Sequence, residues 1–285
     1  MRLQIEKAVY GGAGLAHQTE GDDAGRAVFV PFTLPGETVE AKLAGEKDGF
    51  REALLLQVLT PSVDRIKPGC AHFGECGGCH YQHAKYAAQV AIKIDILRET
   101  LQRAGLDALP EVRIHSAEPW GYRNRTRLRL AEVEGVLRIG YNRRSTNEFL
   151  AIHECPILAP LLWRAADALI RLATENSAAG RWARGAVEVE FFTDADEKKL
   201  QMTVFVQKDR AGFSGFCGAL SGRATGSRFA LRQVEDPRAP ATCMHRKQSA
   251  AARLLHVVAM CGDGENVDRG QIGDGVGVHW RLLVS

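Results

Sequence analysis

Three thiols fall within one short loop: Cys70, Cys76 and Cys79 form a C-x5-C-x2-C pattern, with Gly77 and Gly78 filling the last gap. Thiolates that converge on one centre need a loop with little bulk and freedom at positive φ, which glycine supplies. A fourth candidate, Cys155, stands alone far downstream in His153-Glu154-Cys155-Pro156. Four thiolates satisfy either a [4Fe–4S] cluster or a tetrahedral zinc. Zinc sites built from four cysteines mostly use two C-x2-4-C knuckles, whereas three clustered ligands plus one distant cysteine before a proline lean toward iron–sulfur. On spacing alone, zinc and unligated or disulfide-bonded cysteines stay open.

The redox setting bears on that choice. The N-terminus, Met1-Arg-Leu-Gln-Ile-Glu6, has no apolar core and no small-residue cleavage site, so no secretory signal is expected. Seven cysteines, an odd number, then suggest reduced thiols in a cytoplasm. No run approaches the roughly 18 apolar residues of a membrane span, so no membrane partner is expected. A net charge of +3 is too small to prove a polyanion partner, and the distribution of charge matters more. The 285 residues leave room for two or three domains, and a monomer is expected.

Residues 1–62 read as all-β. Short apolar runs at Leu3–Ile5, Ala8–Tyr10, Ala27–Val30, Val39–Leu43 and Ala53–Leu59 are punctuated by Gly11-Gly12-Ala13-Gly14 and Pro35-Gly36-Glu37. Such spacing suggests a small barrel of OB type. The glycine-rich turn is no phosphate loop, because no Gly-Lys-Ser/Thr follows. After the cysteines, Tyr86, Val90, Ile94, Leu97 and Leu101 trace one face of a helix closed by Gly105 at C′, placed to support the cysteine loop.

The run Tyr122-Arg-Asn-Arg-Thr-Arg-Leu-Arg-Leu130 alternates strictly. As a strand it puts Tyr122, Asn124, Thr126, Leu128 and Leu130 on one face and Arg123, Arg125, Arg127 and Arg129 on the other. Leu137–Tyr141 continues as a second strand, with Arg143 and Arg144 at its end. A solvated face paired to acids is the bland explanation, but the nearby acids are only Glu132 and Glu134. RNA contact is therefore expected at Arg123, Arg125, Arg127, Arg143 and Arg144, with Tyr122 and Tyr141 as stacking candidates. A helix over 156–172 and a hairpin of Val187–Phe192 with Leu200–Val206 complete an α+β unit over 63–215 that contains Cys155.

Beyond about residue 215 clean alternation is lost. Ala250–Met260 reads as a helix, and the rest of 216–285 as an irregular tail too short for a doubly wound nucleotide-binding domain.

Several spaced motifs now agree in order. Pro68-Gly-Cys70, Cys76-Gly-Gly-Cys79-x-x-Gln82-His83, Tyr86, Gln89 and Lys93 resemble the iron–sulfur class of S-adenosylmethionine-dependent rRNA and tRNA (uracil-5-)-methyltransferases. Upstream, Gly12-x-Gly14, Val28-Phe29-Val30-Pro31 and Leu34-Pro35-Gly36-Glu37-x-Val39 are similar to that family's TRAM domain, an OB-type RNA-binding module. Downstream, Tyr122-Arg123-Asn124-Arg125, Ile139-Gly140-Tyr141 and Cys155-Pro156-Ile157-Leu158 are similar to its central domain.

The resemblance implies that Cys70, Cys76, Cys79 and Cys155 hold one [4Fe–4S] cluster with a structural role. It also implies 5-methylation of a flipped-out uridine by a third domain of Rossmann type. That domain needs an S-adenosylmethionine loop, an aspartate, a nucleophilic cysteine and a glutamate base. None is found in register, so the catalytic residues and the S-adenosylmethionine site are unknown. Met260-Cys261-Gly262 and Glu235-Asp236-Pro237-Arg238 resemble fragments in the wrong order, and Cys217 and Cys243 have no flanking motif. The tail is read as frame-shifted, divergent, or complemented by a partner chain.

The expected architecture is thus α+β and multidomain: an OB-type TRAM barrel over 1–62, an α+β iron–sulfur domain over 63–215, and no recognisable catalytic domain. Activity of the chain alone is uncertain. A non-enzymatic RNA-binding module with a structural cluster, and a zinc-ribbon protein without RNA, are the alternatives.

Overall fold

The first segment of the chain closes a barrel by pairing on both of its sides. Strand β1 (Arg2–Gln4) lies antiparallel to β5 (Thr38–Lys47), while β2 (Lys7–Ala8), three residues on, lies antiparallel to β3 (Ala13–His17). The Ile5 N–H donates to the Glu37 carbonyl and the Glu6 N–H to the Leu15 carbonyl, so the crossover from one neighbour to the other leaves no orphan amides. With β4 (Ala27–Pro31) and β6 (Phe50–Thr60), the sheet order is β1-β5-β6-β4-β3-β2. Counting β1 and β2 as one broken strand gives the circular order 1-2-3-5-4, with third and fifth strands parallel. Val28, Val30, Val39, Ala41, Leu3 and Ile5 point inward as the two-residue period requires and form its core.

The computed structural model describes residues 1–19, 24–47, 49–198, 200–206 and 219, and the strands 229–234 and 255–261. Helix α1 (Tyr86–Arg103) ends as expected. Gly105 takes φ +84°, its N–H donates to the Gln102 carbonyl, and the Leu106 N–H donates to the Leu101 carbonyl, a Schellman motif. Its buried face differs from the expected one. Ile92, with Ala88 and Ile96, packs on Ala8, Leu34 and Ala84, and Lys7 pairs with Glu99. Leu97, expected inside, is 44% exposed. The helix is apolar on two sides, and periodicity alone does not say which side the barrel takes.

A second sheet holds β7 (Arg125–Val133), β8 (Val136–Asn142), β9 (Phe149–Ala151), β10 (Ala186–Thr193), β11 (Leu200–Val206), β12 (Phe229–Val234) and β13 (Leu255–Cys261). Its order is β12-β13-β11-β10-β7-β8-β9, antiparallel at each pairing. Helices α2 (Pro160–Ala173) and α3 (Ala178–Ala183) pack Leu161, Leu162, Leu169, Leu172 and Trp182 into one core with Leu128, Val189 and Phe191 of the sheet.

Two expectations for the tail are corrected. Residues 255–261 are a strand, not a helix, and the β-branched pair Val257-Val258 suits that state. Strands β12 and β13 join the central sheet through β11, so the sheet extends past residue 215. Glu235–Arg238, Cys217 and Cys243 lie outside the described residues.

Candidate metal centre and arginine face

The cysteine loop is anchored at its base by a buried ion pair. Glu37, fully buried in the barrel turn, accepts from Arg65 Nε at 2.5 Å and from a terminal Arg65 nitrogen at 2.7 Å. It also accepts the Leu34 N–H at 2.8 Å and the Ser62 N–H at 3.1 Å. Burial alone would raise the Glu37 pKa, but the Arg65 guanidinium and the two backbone N–H groups outweigh it and hold the carboxyl below its ordinary value. Above this pair, His83 is buried between Phe32 and Phe73. Neither His83 ring nitrogen has a hydrogen-bond partner of ordinary geometry, although the ring stands beside the Thr33 backbone. Burial, with Arg65 adding to it, pushes its pKa down to about 4. Gly12 of the barrel, at φ +87°, fits against this loop because a Cβ there would lie 2.5 Å from His80 Cβ.

Two distant segments then close on the loop. At the end of β8, the Gly77 N–H donates to the Asn142 carbonyl, the Arg144 N–H to the Glu75 carbonyl, and Arg143 pairs with Glu75. From the segment after β9, the Glu154 carboxylate accepts the Ala71 N–H at 3.3 Å, and the His72 and His153 rings meet at 4.4 Å. Arg123 is tied beside them: its N–H donates to the Ile157 carbonyl and its carbonyl accepts the Ala159 N–H. The result is a cleft, partly open to solvent, lined by Cys70, Cys76, Cys79 and Cys155 together with Arg123 and Tyr141.

All four thiols are free and half-buried. The backbone N–H groups of His72, Gly78 and Ile157 donate to the sulfurs of Cys70, Cys76 and Cys155, each from two residues further along the chain. Burial pushes these three thiols up, and the charge of neighbouring thiolates pushes the same way. Amide donors aimed at sulfurs favour thiolate, yet four thiolates in one cleft repel; a cationic body between them resolves the conflict. Among the described residues, no three His, Cys, Asp or Glu side chains could hold a single metal ion between them.

The arginine row stands on the outer face of β7, with Thr126, Leu128 and Leu130 inside. Its partners come from β10, not from nearby sequence. Arg125 pairs with Glu190 at 2.8 Å and Arg127 with Glu188, both diagonally across the strands. Arg129 donates to the Asn142 side chain at 2.6 Å, and Arg144 stacks on the Phe32 ring at 4.8 Å. Pairs as exposed as these contribute ~0–1 kcal/mol each.

Two of the expected RNA contacts sit elsewhere. Arg123 lines the thiol cleft, and Tyr141 faces the same cleft, its hydroxyl 2.6 Å from Thr126 and 4.0 Å from Cys155 Sγ. Period two carried this signal, since Tyr141 shares a face with the buried Ile139, two residues earlier. Tyr122 is exposed, because the regular strand begins only at Arg125. Sequence reasoning passed over Trp120, whose indole is 44% exposed and rests on Gly69, next to Cys70. Its signal was the clustering of two aromatic residues around Gly121, just ahead of the arginine run.

No family model matches the sequence. Among curated proteins, the chain is 40% identical over 157 residues to an uncharacterized RNA methyltransferase of Aquifex aeolicus, covering 54% of this chain and 35% of that protein. It is 36% identical over 169 residues to the 23S rRNA (uracil(1939)-C(5))-methyltransferase of a Marinomonas species, 59% of this chain and 38% of the relative. The corresponding enzyme of Dechloromonas aromatica is 40% identical over 154 residues, 51% and 35% of the two chains. The matches thus span little more than a third of these relatives' length. Among solved structures, the Pyrococcus abyssi tRNA (uracil-54, C5)-methyltransferase in complex with S-adenosyl-L-homocysteine aligns at TM-score 0.48 and 16% identity, over 75% of this chain and 48% of that one.

Proposed function

We propose that this chain, 36–40% identical to RNA methyltransferases over little more than a third of their length, is the RNA-reading, iron–sulfur part of an RNA (uracil-5-)-methyltransferase, acting on ribosomal or transfer RNA. The observation that carries this reading is the convergence of Cys70, Cys76 and Cys79 with the distant Cys155 on one cleft. That cleft lies behind a strand whose outer face carries arginines. The donor set supports a cluster: four sulfurs line one cleft, three of them met by backbone N–H groups. When bound, a [4Fe–4S] cluster would supply the positive charge that neutralises these thiolates and ties residues 70–79 to Cys155.

The chain's own residues do the rest. Arg125 and Arg127 exchange their β10 carboxylates for RNA phosphates, and Arg143 and Arg144 extend the strip past the loop. Tyr122 and Trp120 offer exposed rings to unstacked bases. The barrel of residues 1–62, read as a TRAM module, adds a second RNA surface. Among the described residues no loop carries the family's S-adenosylmethionine pattern, and methyl transfer is assigned to no residue of this chain.

Anaerobically purified full chain tests the reading through iron and acid-labile sulfide content, affinity for an unmodified ribosomal RNA transcript, and transfer of labelled methyl groups from S-adenosylmethionine. We expect about four irons per chain, lost in Cys155→Ser, together with salt-dependent RNA binding and no label at uridine. Label at uridine C5 overturns the catalytic incompleteness, zinc in place of iron overturns the cluster, and absent RNA affinity overturns the whole.

A further inference from the structure

Thr126 is a polar residue where β7 otherwise buries leucine: Thr126, Leu128 and Leu130 form its inward row at 5%, 0% and 7% exposure. A buried hydroxyl needs a partner, and this one has the Tyr141 hydroxyl at 2.6 Å. Tyr141 in turn reaches Cys155 Sγ at 4.0 Å, within range for a hydrogen bond to the larger sulfur atom. Of the four cleft thiols, Cys155 is the one met by a side-chain donor among the described residues. It is also the one that comes from outside the cysteine loop.

The direction of this chain of hydrogen bonds follows from counting protons. A sulfur bound to iron has none to give and accepts only. Tyr141 has a single proton, so it donates to Cys155, and Thr126 must then donate to Tyr141. We propose that Thr126 and Tyr141 are positioning residues for the cluster, a relay of two hydroxyls that orients Cys155 and stabilises negative charge on its sulfur. The proposal rests on the iron–sulfur reading of the cleft and withdraws Tyr141 from base stacking. Thr126 lies between Arg125 and Arg127, so the same relay fastens the arginine strand to the cluster from its inner side.

Hydrogen bonds to cluster sulfurs favour the reduced state, because the added electron increases charge at sulfur. The test therefore uses Tyr141→Phe, Thr126→Val and Thr126→Ser in the full chain, purified anaerobically. Iron and sulfide are counted, and the midpoint potential of one-electron reduction is measured in a dithionite titration with redox mediators. Tyr141→Phe should keep its iron and show a lower midpoint. Thr126→Val should shift it less, in the same direction, and Thr126→Ser should restore the wild-type value. A fully loaded Tyr141→Phe with the wild-type midpoint overturns the proposal, all the more if it has lost RNA affinity. If Tyr141→Phe retains no iron, the threonine pair decides, and identical midpoints for Val and Ser overturn it. Wild-type protein that holds no iron and sulfide sinks the cluster reading itself, a different failure from an unmoved midpoint.

Discussion

Replacing Glu37 by alanine should unfasten the cysteine loop from the barrel. The substitution removes the acceptor of two Arg65 contacts and of the Leu34 and Ser62 amides. Breaking a buried ion pair by deleting one partner costs about 3–5 kcal/mol, and an orphaned buried amide adds about 1–3 kcal/mol where water does not reach it. Arg65 keeps some access to solvent, 21% of its side chain, and a bond to the Phe32 carbonyl at 2.8 Å. That favours the lower end, about 4 kcal/mol in all. At a slope of about 2 kcal/mol/M, the urea midpoint followed by far-UV circular dichroism should fall by about 2 M. Amide exchange at Leu34 and Ser62 should accelerate in the same variant. Pairing Glu37→Gln with Arg65→Met keeps an acceptor for the amides and removes both charges, so it should recover most of the loss. The pH dependence has a definite sign. The folded pKa is depressed, so the carboxylate's contribution is present above its ordinary value of 4.5 and is lost as pH falls through the folded one. Glu37→Gln should therefore be less acid-sensitive below that point. A midpoint for Glu37→Ala within about 0.5 M of wild type would refute the argument.

Other perturbations separate the surfaces. Arg125→Ala with Arg127→Ala should change stability by less than about 1 kcal/mol while lowering the salt slope of RNA binding by about 2; an unchanged slope removes this face from the RNA site. Trp120→Ala should weaken binding by about 1–3 kcal/mol with the slope intact, since stacking carries no charge. Gly69→Ala should do the same, because a Cβ there would lie 2.9 Å from the indole. Binding isotherms at several salt concentrations decide both. His83 titrates at about 4 in the fold against 6.5 ordinarily, so the unfolded chain takes its proton first and stability falls as pH drops through that window. The slope is about 1.4 kcal/mol per pH unit for this one group, and urea midpoints at pH 7 and 5 should converge in His83→Phe.

What could be read from the sequence was what local chemistry decides. Gly105 at the helix end and the inward Val28 and Val30 are each dictated by neighbours a few residues away, whereas Gly77 and Gly78 do not take the positive φ expected of them; in that loop Gly74 does. The pairing of Arg125 and Arg127 was not legible, because Glu190 and Glu188 lie 65 and 61 residues off and only the register of β7 with β10 brings them across. Helix α1 hid its contact face for a related reason, since Ile92 and Ile94 are equally apolar and the barrel chose between them. Tyr141 was legible in part. The residue between it and Ile139 is Gly140, where a Cβ would fall 1.9 Å from the Leu150 carbonyl oxygen, so that side of β8 is closed by a neighbouring strand. The ring could only face the thiols. Strand β13 was misread because a helix and a strand both accept a short apolar run, and its partner β11 lies some fifty residues earlier.

The split first strand has a consequence for how the barrel is made. Residues 2–8 leave the ribosome before anything they pair with. Lys7 and Ala8 find β3 almost at once, but Arg2–Gln4 must wait for Thr38–Glu40. Until then the nascent chain carries an unpaired edge that another copy could take up. Translation speed across the codons for residues 2–40, rather than the final stability of the barrel, would then govern how much of the protein reaches its native form.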